Sequence, residues 1–543
     1  MGLTITATDR DRDRDRDRDR DAAGHDRAAP EVRRSCPPAA GRRRPEGTTQ
    51  QEAFWAALTG GDAHVELSAR AGTGKSFSCR EGIWRLLEAD PMAAPIYVAF
   101  NRAIAAEFQA GLPPGARAAT MHAMGFAAIR AAVPGVGEPA KFKMWDIVDT
   151  LLPRRDRRTR SVKAAVVRLA DLCKGHLIDP LGPTGRADLD RLAAGHGIVV
   201  DSRDREQAYN LVPMVLRKCR EQTAVVCFSD MPWLPVVLGL DFPPCDVLFI
   251  DESQDLDACQ HALVRRIAGE GRVVMVGDPH QAIYNFRGAD SRSMATLAGQ
   301  LRETARGLVT LPLTMTRRCP RSHVALARNV VADFEALPTA PGGRVDADAD
   351  PDSCLEPGVM ALCRTNAPLV SAAYALVGAN VPVAIQGKDL GEGLARFIEG
   401  FAADSLAGLL RGVELHRAAE ADRLAALENS GGEIEALDDR CGCVIAASRG
   451  CASVGELTRK VAALFLEVSP ANQGRYVLLS SVHRAKGREA DRVAILRPDL
   501  MPHAMARTPE AVVQERNLAY VAATRSKHRL AFLGAIPPIL KGA

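Results

Sequence analysis

Three short runs hold residues whose types and spacing could do chemistry. Ala69-Arg70-Ala71-Gly72-Thr73-Gly74-Lys75-Ser76 follows the apolar stretch His64–Ala69. Glycines at this spacing let the N–H groups of Ala71, Gly72, Thr73 and Gly74 approach an anion. A helix beginning at Lys75 would aim its N-terminus at the same point, Lys75 could reach β- and γ-phosphates, and the Ser76 hydroxyl could ligate Mg²⁺. The strict phosphate-loop pattern opens on Gly, where this chain has Ala69. The second run is Val247-Leu248-Phe249-Ile250-Asp251-Glu252-Ser253-Gln254-Asp255. An apolar strand ending in Asp-Glu suits a second ligand to Mg²⁺ (Asp251) and a group that polarises an attacking water (Glu252). The third runs from Val276-Gly277-Asp278-Pro279-His280-Gln281 to Tyr284-Asn285-Phe286-Arg287-Gly288-Ala289. Together the first two specify hydrolysis of a nucleoside triphosphate, ATP being the expected cofactor with Mg²⁺.

Such residues need strands that end beside one another. Short apolar runs recur at His64–Ala69, Ile96–Phe100, Val247–Ile250 and Val273–Val276, each followed by a polar or Gly-containing turn and a helical stretch. This alternation predicts an α/β fold with parallel sheets. A later set, Val359–Cys363, Val381–Ile385, Tyr476–Leu479, Val493–Leu496 and Leu530–Leu533, predicts a second core in tandem. Two Arg/Leu/Ala-rich stretches interrupt the pattern and read as helical insertions. The expected organisation is a tail over 1–47, a first core over 48–130 and 225–315 with an insertion over 131–224, and a second core over 316–399 and 472–543 with a short insertion over 400–471.

Composition bounds the partners. The chain has 543 residues, 70 Lys+Arg against 66 Asp+Glu, and a formal net charge of +4, so it does not hold a polyanion by bulk charge. Asp9 to Asp21 is a strict Asp-Arg alternation with nothing to bury, which predicts a disordered segment. The thirteen Cys are scattered, many in apolar runs, and Cys441, Cys443 and Cys451 lack the spacing of a zinc site. With no apolar run near ~20 residues and no apolar leader region, a reducing cytoplasm is expected. Aromatics are few, with 4 Trp, 6 Tyr and 15 Phe, so each one's position carries weight.

The run from Asp251-Glu252-Ser253-Gln254-Asp255 to Gly277-Asp278-Pro279-His280-Gln281-Ala282-Ile283-Tyr284-Asn285-Phe286-Arg287-Gly288-Ala289 resembles superfamily 1 helicases of the UvrD/Rep/PcrA group. The other motifs of that family follow in order. They are Thr49-Gln50-Gln51, Tyr97-Val98-Ala99-Phe100-Asn101-Arg102, Thr120-Met121-His122, Leu313-Thr314-Met315-Thr316-Arg317-Arg318, Arg364-Thr365-Asn366, Val482-His483-Arg484-Ala485-Lys486-Gly487-Arg488-Glu489, and Gln514 to Arg525. The layout is compact, similar to phage-type and F-box-type relatives without an F-box segment.

The resemblance implies two RecA-like P-loop cores with ATP and Mg²⁺ in the cleft between them. Gln50 would read adenine and Glu489 would hold the ribose. Gln281 would sense the γ-phosphate, while Arg318 and Arg525 would act as arginine fingers. Phe100, Tyr284 and Phe286 would stack on bases, and Asn101, Thr120, His122, Arg364, Asn366 and His483 would contact the strand. The expected partners are single-stranded DNA and single/double-strand junctions, with 3′ to 5′ movement. Arg317 stands where relatives often have an aromatic that stacks on adenine, and a guanidinium plane can also stack. Two activities remain open at this stage. One is strand separation; the other is stripping proteins such as recombinase filaments from single strands.

Overall fold

The computed structural model describes residues 43–541 apart from 154–156, 197, 199–201, 284–291, 402, 426–430, 467 and 469. The stacking candidates Tyr284 and Phe286, and the Asp-Arg alternation, lie outside the described residues.

The first sheet holds β1 (His64–Ala69), β2 (Pro95–Ala99), β3 (Arg117–Thr120), β4 (Val247–Ile250), β5 (Arg272–Gly277) and β6 (Leu308–Leu313) in the order β3-β2-β4-β5-β1-β6. Every pairing is parallel. All residues of β2, β4 and β5 are buried, as strands covered on both faces require. Each buried Val, Leu, Ile or Phe there contributes roughly 1.5–3 kcal/mol. Strands β3 and β6 escape the apolar pattern. Arg117–Thr120 contains only Ala between polar ends, and Leu308–Leu313 is a half-exposed edge. Among the described residues, six helices from Met121–Ala132 to Asp230–Val237 form a unit with its own apolar cluster, centred on Val166, Leu169 and Val215.

After a two-stranded link, β7 (Met315–Thr316) beside β8 (Glu335–Ala336), comes a second parallel sheet. It contains β9 (Arg344–Asp346), β10 (Val359–Cys363), β11 (Val383–Gln386), β12 (Phe465–Leu466), β13 (Val477–Ser481), β14 (Ala490–Leu496) and β15 (Ser526–Leu533), in the order β12-β11-β13-β10-β14-β15-β9. Strand β15 starts four residues before the apolar run that marks it, because its first half, Ser526 to Arg529, is polar. Helices Lys388–Glu399, Leu406–Ala425, Gly431–Ser448 and Val454–Leu464 lie between β11 and β12. On helix Gly431–Ser448, Cys441 and Cys443 are buried in the apolar cluster of this face. Among the described residues no helix is long and apolar enough to cross a membrane.

Parallel order decides where chemistry can occur. The first-sheet runs singled out in the sequence all leave the carboxyl ends of adjacent strands: the phosphate loop after β1, Phe100-Asn101 after β2, Thr120 at the end of β3, Asp251-Glu252 after β4, and Asp278 to Gln281 after β5. That edge is where open α/β sheets bind ligands.

Candidate functional site

The phosphate loop turns through left-handed Gly72 (φ 69°) and Gly74 (φ 86°), and helix Lys75–Ala89 starts immediately after. At Gly72 a side chain is excluded twice: its Cβ would sit 2.5 Å from the Arg318 Cβ and 2.8 Å from the Thr316 hydroxyl. Lys75 Nζ lies 3.0 Å from Glu252 Oε1. Burial alone would lower the Lys75 pKa, but the carboxylates of Glu252, Asp251 and Asp278 outweigh it and hold the ammonium firmly protonated.

Asp251 accepts the Tyr97 hydroxyl at 2.6 Å on one oxygen and the Glu252 N–H at 3.0 Å on the other. Burial and the neighbouring Glu252 charge push its pKa up, whereas Lys75 and Lys486 hold Glu252 down against its own burial. The like-charge pressure on Asp251 is what a divalent cation would relieve, so the pair Ser76 and Asp251 fits Mg²⁺. Glu252 has a left-handed backbone, φ 51°, without being Gly or Asn. Such strain persists where the surroundings over-determine a conformation.

The second sheet supplies the other wall. Arg525, at the end of helix Pro509–Ala523, is buried, and its guanidinium approaches Gln281 Oε1 at 3.5 Å. Burial, then the Arg318 charge, lowers its pKa to about 10, so it stays a cation, and it also donates to the Val521 and Arg488 carbonyls and the Thr524 hydroxyl. Gln281 is held by Asp278 at 2.7 Å. Arg318 pairs with Glu489, which also takes Lys527 at 2.6 Å. Gln50 is fixed from both ends of its amide. It donates to the Thr314 hydroxyl and accepts the Thr314 N–H, both at 2.9 Å, leaving one N–H and one lone pair to face outward. Gly72, Gly74, Lys75, Ser76, Asp251, Glu252, Gln281, Arg318, Glu489, Arg525 and Lys527 line one cleft of about 1230 Å³, whose lip carries Phe100 and Asn101.

Several participants escaped the sequence. Lys486 reaches across to Asp255 at 2.5 Å and to the Gln281 carbonyl at 2.7 Å. Burial raises Asp255 to about 6 even against that lysine. The Tyr520 hydroxyl accepts the Ala71 N–H at 2.8 Å and donates to Asp278 at 3.2 Å. Arg70 grips Asp333 through two bonds of 2.9 and 2.7 Å. The phosphate loop is thus tied at 70 to the turn before β8 and at 71 to helix Pro509–Ala523, while 72–76 line the cleft. Lys486 and Tyr520 lie inside motifs already noted, but only tertiary approach reveals their partners.

The strand candidates divide. Phe100 is 58% exposed, an apolar face with no packing role. Asn101 and Thr120 cap the helices that follow them, accepting N–H groups of Ile104 at 2.9 Å and Ala123 at 3.1 Å. The His122 ring stacks on Phe228 at 3.9 Å, and burial lowers its pKa to about 4, so it offers a neutral ring rather than a cation. Phe228, two-thirds exposed, extends this surface and has no flanking sequence pattern to mark it. Arg364 is buried between Glu515 at 2.7 Å and Glu435 at 2.5 Å, and Asn366 gives its backbone N–H and side-chain amide to Asp439 at 2.7 Å each. Glu435 and Asp439 sit on the insertion helix Gly431–Ser448, so the structure does not bring Arg364 and Asn366 to the same open surface as Phe100. His483 is half-buried after β13.

Comparison with known proteins agrees with this geometry. The model of the UvrD/REP helicase N-terminal domain matches residues 244–301, and that of the UvrD-like helicase C-terminal domain matches residues 461–535. The chain is 25% identical over 244 residues to F-box DNA helicase protein 1 of Schizosaccharomyces pombe, covering 42% of this chain and 27% of that protein. It is 26% identical over 195 residues to ATP-dependent DNA helicase Rep of Escherichia coli (strain K12), covering 34% of this chain and 28% of Rep. Over 92 residues it is 32% identical to ATP-dependent DNA helicase srs2 of Schizosaccharomyces pombe, covering 17% of this chain and 10% of that protein. The matched stretches therefore span little more than a quarter of the first two relatives' own length. With both domain models matched in order, and their motifs meeting across one cleft between two RecA-like cores, residues 244–301 and 461–535 carry the N- and C-terminal domain signatures of UvrD-like helicases.

Proposed function

We propose that the chain is an ATP-driven motor on single-stranded DNA that moves 3′ to 5′ and separates strands at single/double-strand junctions. The observation that carries this reading is that one cleft gathers Lys75, Asp251 and Glu252 from the first core with Glu489, Lys486 and Arg525 from the second. Ligands contributed by two bodies to one phosphate make closure depend on the nucleotide, and hydrolysis releases it.

Nucleotide entry would exchange the Lys75–Glu252 pair for a Lys75–phosphate pair. That exchange frees Glu252 to take the proton of the attacking water. Ser76 and Asp251 would hold Mg²⁺, which when bound neutralises charge on the β- and γ-oxygens. Ala71 to Gly74 present N–H groups to the phosphates, Glu489 the ribose contact, and Gln50 its remaining amide groups to adenine. Arg318 and Arg525 would stabilise charge on the transferring phosphoryl group, and Gln281, touching Arg525, would report its presence. Phe100, with Tyr284 and Phe286, would stack on bases. Thr120, His122, Asn101, Arg364, Asn366 and His483 would line the strand's path, once Glu435 and Asp439 release the two that they hold.

A second reading keeps the motor and changes its load. Among the described residues the insertion between β11 and β12 is only four helices, which favours clearing proteins from single strands with little unwinding. Strand displacement on 3′-tailed and 5′-tailed duplexes tests both. The proposal expects ATP-dependent displacement of the 3′-tailed substrate alone, abolished by Lys75→Ala. Absence of displacement, with filament clearance retained, would select the second reading.

A further inference from the structure

In the helical unit between β3 and β4, two departures from ideal local structure flank one groove. Helix Arg157–His176 ends in a cap where Ile178 N–H reaches the Cys173 carbonyl at 3.0 Å and Leu177 N–H the Lys174 carbonyl at 3.3 Å. The residue this motif places in the left-handed region is usually Gly. Here it is Leu177, at φ 53°, a conformation that costs a branched side chain about 1 kcal/mol or more. The second departure is Pro213, inside helix Ser202–Glu221. A mid-helix proline removes the bond to the carbonyl four residues back and destabilises the helix by ~3 kcal/mol. Local rules are broken most often where a surface has work to do.

Leu177 and Pro213 line opposite sides of a groove of about 610 Å³, whose floor is Leu216 and Trp233 and whose lip is Leu181, 68% exposed. Arg217 and Arg220, one turn and two turns beyond Pro213 on the same helix face, stand on its rim. Among the described residues neither arginine has a carboxylate or hydrogen-bond partner. Of the two rim carboxylates, Glu221 pairs with Lys218 at 3.1 Å, and Asp179 accepts the Leu181 N–H at 3.0 Å through one oxygen. The groove shares no residue with the nucleotide cleft.

We propose that this groove is a docking site for a protein segment carrying aliphatic or aromatic anchors beside Asp or Glu. The apolar floor would bury the anchors, and Arg217 and Arg220 would meet the acids at the rim, where charge complementarity sets specificity. A nucleic-acid strand is the poorer fit. Strand binding needs exposed aromatic faces for stacking, and the one aromatic here, Trp233, is 5% exposed and set into the floor.

The test is selection of a displayed random dodecapeptide library on the full chain. Recovered peptides are synthesised and titrated against wild type, the double variant Arg217→Glu/Arg220→Glu, and Leu181→Asp. All three substituted side chains lie outside the catalytic machinery, so ATP hydrolysis and thermal stability serve as controls for an intact fold. The expected result is peptides that pair Leu, Ile or Phe with Asp or Glu, binding wild type roughly tenfold or more tightly than either variant. Peptides without acidic residues, equal binding to the variants, no peptide recovered, or displacement by a twelve-residue oligo(dT) would each overturn the proposal.

Discussion

At the residue scale, the most informative contact is the ion pair between Lys75 and Glu252. In the proposed function each group has a task of its own, Lys75 on phosphate and Glu252 on water, and in this structure each neutralises the other at 3.0 Å. Lys75 and Lys486 hold the Glu252 pKa down, so the carboxylate is ionised and ready as a base over the whole physiological range. Glu252→Gln keeps the shape and removes the charge. The expected outcome is a fall in kcat of about 10²- to 10⁴-fold, the ordinary contribution of a positioned general base. ATP binding should stay equal or tighten, because Lys75 loses a competitor. Single-turnover hydrolysis beside nucleotide titration measures the two separately, and weakened binding with unchanged kcat would assign Glu252 to the wrong step. These residues were legible in the sequence because phosphate chemistry admits few side-chain types at few spacings. The ties of Tyr520 to Ala71 and of Arg70 to Asp333 were not legible. Tyrosine and arginine have many uses, and 449 residues of chain separate the first pair.

At the element scale, parallel strand order does the positioning, and helix caps secure the loops that leave each strand. The strands were readable wherever both faces are covered, as in Val247–Ile250, and unreadable at Arg117–Thr120 and Leu308–Leu313, where one side is open and the apolar run disappears. The Asp-Glu loop after β4 ends on Asp257, which caps helix Ala258–Ala268 by accepting the Gln260 N–H at 2.8 Å. Burial raises the Asp257 pKa to about 6 although that hydrogen bond opposes it. A carboxyl raised on folding binds more protons in the native state than in the unfolded state between about pH 4 and 6, so its contribution to stability falls as pH rises through that window. Asn caps as well as Asp and carries no charge. Asp257→Asn should therefore melt higher than wild type at pH 7.5, and the advantage should vanish near pH 4. Thermal unfolding at the two pH values checks the sign, and a variant less stable at pH 7.5 would show that the carboxylate charge helps the loop.

At the scale of the whole molecule, function rests on two cores sharing one cleft. The apolar cluster beneath the second sheet includes Ala71 of the phosphate loop and Ile283 of the first core alongside Leu518 and Tyr520, so the two bodies meet through packing as well as through ion pairs. The order of the motifs along the chain foretold this shared cleft. The contacts of Arg364 and Asn366 with Glu435 and Asp439 were not legible, because those partners sit on an insertion helix whose sequence announces nothing but helicity. The most direct measurement of the shared cleft is steady-state ATP hydrolysis, with and without poly(dT), by wild type and by Arg525→Ala. Arg525 comes from the second core and ends beside Gln281 of the first. The account predicts strong stimulation of wild type by the strand, and loss of about 10³-fold or more in the variant with ATP still bound. Hydrolysis by Arg525→Ala close to that of wild type, or a wild-type rate indifferent to the strand, would contradict it.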